Sequence, residues 1–197
     1  MTDILDNVSR ETLDRLEIYV AELTKWNRAL NLVSASSLKD VWSRHIRDAL
    51  QITSHADPMS PWVDLGSGGG IPGLIIAATR PSETLVLIES DERKSAFLRS
   101  AAIAMDVQIS IVTSRIESAT PQMANVLTAR ALAPLTQLLH FAERHRLPQG
   151  KCLFLKGQSA HHELTEAKKT WKMEVDVIPS VTSKDGVILR IGAFSRV

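Results

Sequence analysis

The feature that constrains this chain most is one decapeptide, Asp64-Leu65-Gly66-Ser67-Gly68-Gly69-Gly70-Ile71-Pro72-Gly73. It begins within the strand-like run Trp62–Leu65 and leads into a helix-like stretch over 72–80. Glycines at a strand-to-helix turn adopt positive φ and let backbone N–H groups approach a ligand. In open parallel sheets, ligands bind at the carboxyl ends of the strands, where such turns lie. The surrounding chain should therefore alternate strands and helices.

That alternation is present. Strands are expected at Trp62–Leu65, Thr84–Glu89, Val107–Val112, Asn125–Ala129 and Cys152–Lys156, with helices over 72–80, 91–105 and 134–145. Repeated strand-helix-strand units imply right-handed crossovers and a largely parallel sheet covered on both faces. A polar helix from His161 to Trp171 follows, with Lys168, Lys169 and Lys172 on its outside. Two more apolar runs, 174–181 and 186–194, flank Asp185-Gly186, a hairpin signal that predicts an antiparallel end to the sheet.

Residues 1–55 read as helices. Leu13, Leu16, Val20, Leu23 and Leu30 form one stripe, with Ser9 as N-cap. A second helix is expected from Ser37, answered three residues later by Asp40, burying Leu38, Val41, Trp42, Ile46 and Leu50 with His45 at the edge. Trp26 has core spacing. No glycine precedes Gly66, which places the change of architecture at Asp57-Pro58. The expected organisation is a helical extension over 1–57 and an α/β domain over 58–197, a division that 197 residues can accommodate at about 150 per domain.

Bulk composition excludes more than it identifies. Lys and Arg exceed Asp and Glu by 23 − 22 = 1, so the whole-chain charge does not point to a polyanion. Residues 1–60 carry 7 basic and 9 acidic residues, which leaves 16 − 13 = +3 for the remainder. Cys152 alone can build neither a disulfide framework nor a cysteine zinc site and is expected as a small core residue; no metal is expected. Close-set charges over 3–17 exclude a signal-peptide core. The uncharged stretch Leu65–Thr79 is broken by glycines and Pro72, which argues against a membrane span. A cytoplasmic location is expected.

Two frames fit the glycine loop. Gly68, Gly70 and Gly73 give G-x-G-x-x-G, with Glu89 21 residues beyond the first glycine, as in a dinucleotide site. Asp64, Gly66, Gly68 and Gly70 give D-x-G-x-G-x-G, typical of class I S-adenosylmethionine (SAM)-dependent methyltransferases. Either ligand would use Glu89 for ribose hydroxyls. A carboxylate at Asp64 suits the charged methionine end of SAM and would repel a pyrophosphate. A small NAD-dependent oxidoreductase remains the alternative, and a binding module without catalysis a third reading. Ile116-Glu117 after the third strand could stack on and read an adenine, and Arg130 after the fourth faces the same edge.

Over nearly its whole length the chain resembles the small-subunit (16S) rRNA methyltransferase G family, also called the glucose-inhibited division protein B family. The resemblance rests on Trp26-Asn27 with Asn31-Leu32, Arg44-His45-Ile46 with Asp48, and the Asp64–Gly73 loop. It continues through Glu89-Ser90 with Arg93-Lys94, Phe97-Leu98, Arg115 with Glu117, Arg130-Ala131 with Ala133-Pro134-Leu135, and Lys156-Gly157. The family implies a Rossmann-like class I methyltransferase fold, with a mostly parallel seven-stranded sheet, an antiparallel C-terminal hairpin and a helical N-terminal extension. It implies methyl transfer from SAM to N7 of the guanosine at position 527 of 16S rRNA, with the rRNA or the 30S subunit as partner; no obligate protein partner is inferred. It also implies cofactor contacts at Gly66, Ile71, Ile116, Glu117 and Arg130; Glu89 is added on physical grounds, with Asp64, Gly68 and Gly70 lining the loop. Asn125 and Ala49 depart from the usual Asp and Ser.

The chemistry agrees with that target. Guanine N7 offers an in-plane lone pair and has no proton to lose, so alignment suffices and no general base is assigned. Thr128-Ala129-Arg130-Ala131 lacks the Asn/Asp-Pro-Pro-aromatic run used on exocyclic amines. Candidate phosphate contacts are Arg44, Arg47, Arg93, Lys94, Arg130 and Lys156, with His45 a nucleotide contact or a half-buried histidine beside Trp42 and Ile46.

Overall fold

A computed structural model describes residues 4–56 and 60–197. The boundary expected at Asp57-Pro58 lies outside the described residues. A 3₁₀ turn over Ile4–Asn7 leads into α1, Arg10–Leu30. The Ser9 hydroxyl accepts from the Thr12 amide at 3.2 Å, as expected for the N-cap. The buried stripe of α1 is Thr12, Leu16, Tyr19, Leu23 and Asn27. Leu13, Val20 and Leu30, expected inside, lie on its half-buried margins.

The second helix differs from expectation. Ser34, not Ser37, caps α2 (Ala35–Lys39), its hydroxyl accepting from the Ser37 amide at 3.1 Å. The chain then forms a π-helical segment, Trp42–Arg47, continuous with α3, Asp48–Thr53. A π segment rotates its side chains relative to an α-helix, and such segments are frequent at functional sites. Here it turns His45 and Ile46 inward.

The rest is one seven-stranded sheet. β1 (Trp62–Leu65), β2 (Leu85–Glu89), β3 (Ser110–Thr113), β4 (Ala124–Arg130) and β5 (Arg146–Lys156) are parallel; β6 (Trp171–Pro179) and β7 (Val187–Arg196) complete it, in the order β3-β2-β1-β4-β5-β7-β6. β7 pairs antiparallel with both β5 and β6, so the expected hairpin is present and inserts its second strand into the sheet.

Helices α4 (Gly73–Thr79), α5 (Glu92–Ala104), α6 (Leu135–His145) and α7 (Ala160–Ala167) make the crossovers. The order turns back at β1, whose neighbours are β2 and β4, so the loops after β1 and β4 open onto a shared crevice. Alternate residues of β1 feed separate cores, Trp62 toward α1, α3, α4 and α5, and Val63 and Leu65 toward α6 and α7. The extension is thus built into one of the two faces of the α/β unit.

Trp171 is corrected: the polar helix ends at Ala167, and Trp171 opens β6 as a buried core residue, packed edge-on against His140 and Phe194. Trp26 packs edge-on against Phe97 as core spacing implied. Cys152 is buried, and burial pushes its thiol up to about 12, the condition of an inert core residue.

Candidate active site

The glycine loop folds by satisfying its own backbone. The Ser67 amide donates to the Ile88 carbonyl at 3.1 Å, and Gly70 donates to Ser67 at 2.7 Å. Gly68 has φ +52°, and a Cβ there would meet nothing closer than the Gly66 carbonyl at 3.8 Å, so it would stand in open space. Gly73 is needed for close approach: a side chain would press on Leu87 and on Asp64 Oδ2 at the foot of α4. The Glu89 carboxylate accepts from the Gly68 and Asp91 amides, both at 2.8 Å, and is 6% exposed. Each of its oxygens keeps a further lone pair for a hydroxyl donor.

These residues line a cleft of about 600 Å³. Gly66, Ser67, Gly68, Gly69, Ile71 and Glu89 form its floor, Ile116 and Glu117 one end, and Arg130–Ala133 with His45 the other. The Leu32–Ser34 segment and Ser37 close it from the extension. Seven of the nine proposed cofactor positions are among its residues or their immediate backbone. Asp64 and Gly70 do not line it: Asp64 is 0% exposed beneath the loop, and Gly70 packs against Leu74. Asp64 Oδ1 accepts from Thr128 at 2.7 Å, while Oδ2 has no well-formed hydrogen bond among the described residues. Burial raises its carboxyl to about 6, against the lowering effect of the Thr128 hydroxyl.

Arg130 ends β4 and divides this cleft from a second of about 680 Å³. Its guanidinium reaches back to the extension, with Nε 3.3 Å from Asp48 Oδ2 and Nη2 donating to the Arg44 carbonyl at 3.1 Å. Burial lowers its pKa while Asp48 acts in the opposite sense. Beyond it, Arg44, Asp48, Lys156, Glu163, Ser180 and Thr182 line the second cleft. Lys156 Nζ lies 2.7 Å from Glu163 Oε2 and donates to the Ala133 carbonyl at 2.6 Å. Its charge is therefore largely committed to fixing the loop after β4.

The other candidate RNA contacts are dispersed. Lys94 lines the first cleft, and Arg93 donates from α5 to the Ala29 carbonyl of α1. Arg47 faces a groove shared with Ile4 and Arg80, away from both clefts. His45 is 6% exposed, and neither ring nitrogen has a well-formed hydrogen bond among the described residues. Burial, Arg130 and Arg44 together push its imidazole down to about 4 and keep it neutral.

Sequence reasoning missed two supports. The buried Tyr19 hydroxyl donates to the Gly69 carbonyl at 2.6 Å. His145, fully buried at the end of α6, holds the Ile116 carbonyl 2.8 Å from Nε2. Asn125 accounts for its departure from Asp: its amide donates to the Ser60 carbonyl, which a carboxylate could not do. Ala49 is fully buried, without a polar atom to satisfy.

Strand order, glycine cradle and acidic β2 terminus together define a class I SAM-dependent methyltransferase. The fold is shared with solved structures: a chain of a fibrillarin/Nop5p complex (TM-score 0.60, 11% identity, 78% of this chain and 83% of that one) and the glycopeptide N-methyltransferase MtfA complexed with SAM (TM-score 0.61, 12% identity, 75% and 93%). Residues 12–189 match the family described as rRNA small subunit methyltransferase G, and the chain belongs to that family. Proteins named ribosomal RNA small subunit methyltransferase G are 45% identical in Cereibacter sphaeroides (97% of this chain, 94% of that one) and 47% in Ruegeria pomeroyi (97% and 96%). The one from Gluconobacter oxydans is 45% identical, covering 98% of this chain and 100% of its own. The oxidoreductase reading of the glycine loop is set aside by this membership.

Proposed function

We propose that the protein methylates N7 of the guanosine at position 527 of 16S rRNA, acting in the cytoplasm on the RNA or the 30S subunit. The observation that carries this reading is the pair of clefts joined at Arg130, one built on the glycine loop and the other flanked by Arg44 of the extension and Lys156 of β5. The first has a volume suited to an adenosyl cofactor. We assign Gly66, Gly68, Ile71, Glu89, Ile116, Glu117 and Arg130 to cofactor binding, with Asp64 and Gly70 shaping the loop from beneath.

SAM, when bound, supplies a methyl group on a sulfonium. Glu89 accepts from ribose hydroxyls, and Ile116 offers an apolar surface to the adenine. Arg130 fixes the boundary between cofactor and substrate, while Arg44, His45, Arg93, Lys94 and Lys156 frame the route of the RNA, with Arg47 on its periphery. The residues orient the guanine, exclude water and hold N7 in line; no side chain needs to take a proton, because N7 carries none. The extension over 1–57 acts as the substrate-facing wall of the catalytic domain over 58–197. With a near-neutral chain, recognition depends on a small basic rim and the shape of the folded RNA.

The test is incubation with methyl-labelled SAM and either naked 16S rRNA or 30S subunits lacking the modification, followed by digestion to nucleosides. Label in 7-methylguanosine mapped to position 527 supports the proposal. Label in another nucleoside, or none in RNA, overturns it.

A further inference from the structure

The glycine loop does not hold its shape alone. Gly69 sits at its crest, where Leu23 and Leu32 of the extension approach within ordinary van der Waals distance of a Cβ built on it. The peptide that follows is fixed at both ends: its carbonyl accepts from Tyr19 at 2.6 Å, and its N–H, on Gly70, donates to Ser67 at 2.7 Å. Two residues before Gly70, the N–H of Gly68 is held by Glu89 at 2.8 Å. Three consecutive glycines have unusual conformational freedom, and any residual motion must be frozen when a ligand binds. Of these three hydrogen bonds, that of Tyr19 comes from outside the α/β unit, 50 residues earlier in the chain.

We propose that Tyr19 is a positioning residue for the cofactor, its hydroxyl fixing the Gly69–Gly70 peptide so that the extension forms a structural part of the cofactor site. The phenol is completely buried, and burial holds its pKa well above the usual range, so it remains a protonated donor. The inference rests on the cofactor reading of the cleft and is independent of which RNA atom is methylated.

The test is calorimetric titration of the full-length protein with SAM, without RNA, comparing wild type, Tyr19→Phe and Leu16→Ala. Tyr19→Phe retains the ring and leaves a buried carbonyl without its donor, a loss that corresponds to a roughly tenfold rise in Kd. Leu16 is one turn away on the same buried face, an apolar core residue with no polar atom to offer the glycine loop. Leu16→Ala should lower Tm at least as much while leaving the SAM Kd within about twofold. In turnover assays Tyr19→Phe should raise the KM for SAM, with kcat and the KM for RNA each within about threefold. A Tyr19→Phe Kd within twofold of wild type overturns the proposal. So does a Leu16→Ala Kd that rises as much as that of Tyr19→Phe, since loop positioning would then be only a reflection of global stability. The titration contains no RNA, so failure of the RNA assignment appears separately, in the labelling experiment.

Discussion

Arg130 Nε lies 3.3 Å from Asp48 Oδ2, a link between the end of β4 and the start of α3 that crosses the boundary between the two clefts. Asp48 is itself held by Gln51 and Thr182, at 2.9 Å each, so the arginine is tied to a fixed carboxylate. Asp48→Ala should release the guanidinium and lower kcat/KM about tenfold, or about 1.4 kcal/mol. Tm should move by only a few degrees, because the pair is partly solvated. Arg130→Lys should be as impaired, since an ammonium lacks the planar fork that reaches both Asp48 and the Arg44 carbonyl. Steady-state kinetics with thermal melting of the three proteins measures this.

Gly68 offers a sharper separation of binding from folding. Its φ of +52° makes any side chain costly by about 1 kcal/mol, although the space around it is open. Gly68→Asp should reduce SAM affinity at least 100-fold by placing a carboxylate beside Glu89 in the cleft. The circular dichroism spectrum should remain native, with Tm down by only a few degrees. Collapse of the fold would show that the loop is chiefly a structural turn.

Asp64 gives the stability a defined pH dependence. Its folded pKa of about 6 exceeds the model-peptide value of 3.8, so between them the native state holds more protons than the unfolded chain. The contribution of Asp64 is therefore greatest at low pH, declines as pH rises from about 4 to about 6, and then levels off. Asp64→Asn removes that decline, and its Tm relative to wild type should climb across this window and stay flat above it. Between low and neutral pH the difference from wild type should change by about 3 kcal/mol. A relative Tm independent of pH would contradict the burial argument.

His145 tests the far end of the cleft. It is buried at the end of α6, where Nε2 meets the Ile116 carbonyl, while Arg144 donates to the Ala119 carbonyl nearby at 2.8 and 3.0 Å. His145→Ala should cost about 2–3 kcal/mol through the void and the stranded carbonyl. It should also weaken binding of S-adenosylhomocysteine several-fold. Denaturant unfolding and calorimetry give the two values.

The parts of this protein legible in its sequence are those in which each residue answers a near neighbour. The Asp64–Gly73 turn, the Glu89 terminus and Ser9 as N-cap all follow from short spacings. The helix expected from 91 begins as foreseen, with Asp91 accepting from the Arg93 and Lys94 amides. The structural roles of Tyr19 and Asn27 are not legible locally, because a polar group in a buried stripe is intelligible only with its partner. Those partners are Gly69, 50 residues away, and Val33, beyond the end of α1. The cap at Ser34 and the π-helical segment accompany the burial of His45 and Ile46, a tertiary feature that no spacing around Ser37 encodes. β5 begins at Arg146, ahead of Cys152, because Arg146 pairs beside Ala124 across a bulge. That irregularity depends on the neighbouring strand and leaves no local pattern.

The placement of β7 has a consequence for how the protein is completed. β7 follows β6 in the chain yet lies between β5 and β6, so β6 has no seat in the sheet until β7 has docked on β5. Loss of residues 187–196 would unseat two strands at once and leave the Cys152–Lys156 edge, apolar through Leu153, Phe154 and Leu155, open to pairing with other chains. A shortened chain of this kind retains every residue assigned to the cofactor, and its expected failing is self-association.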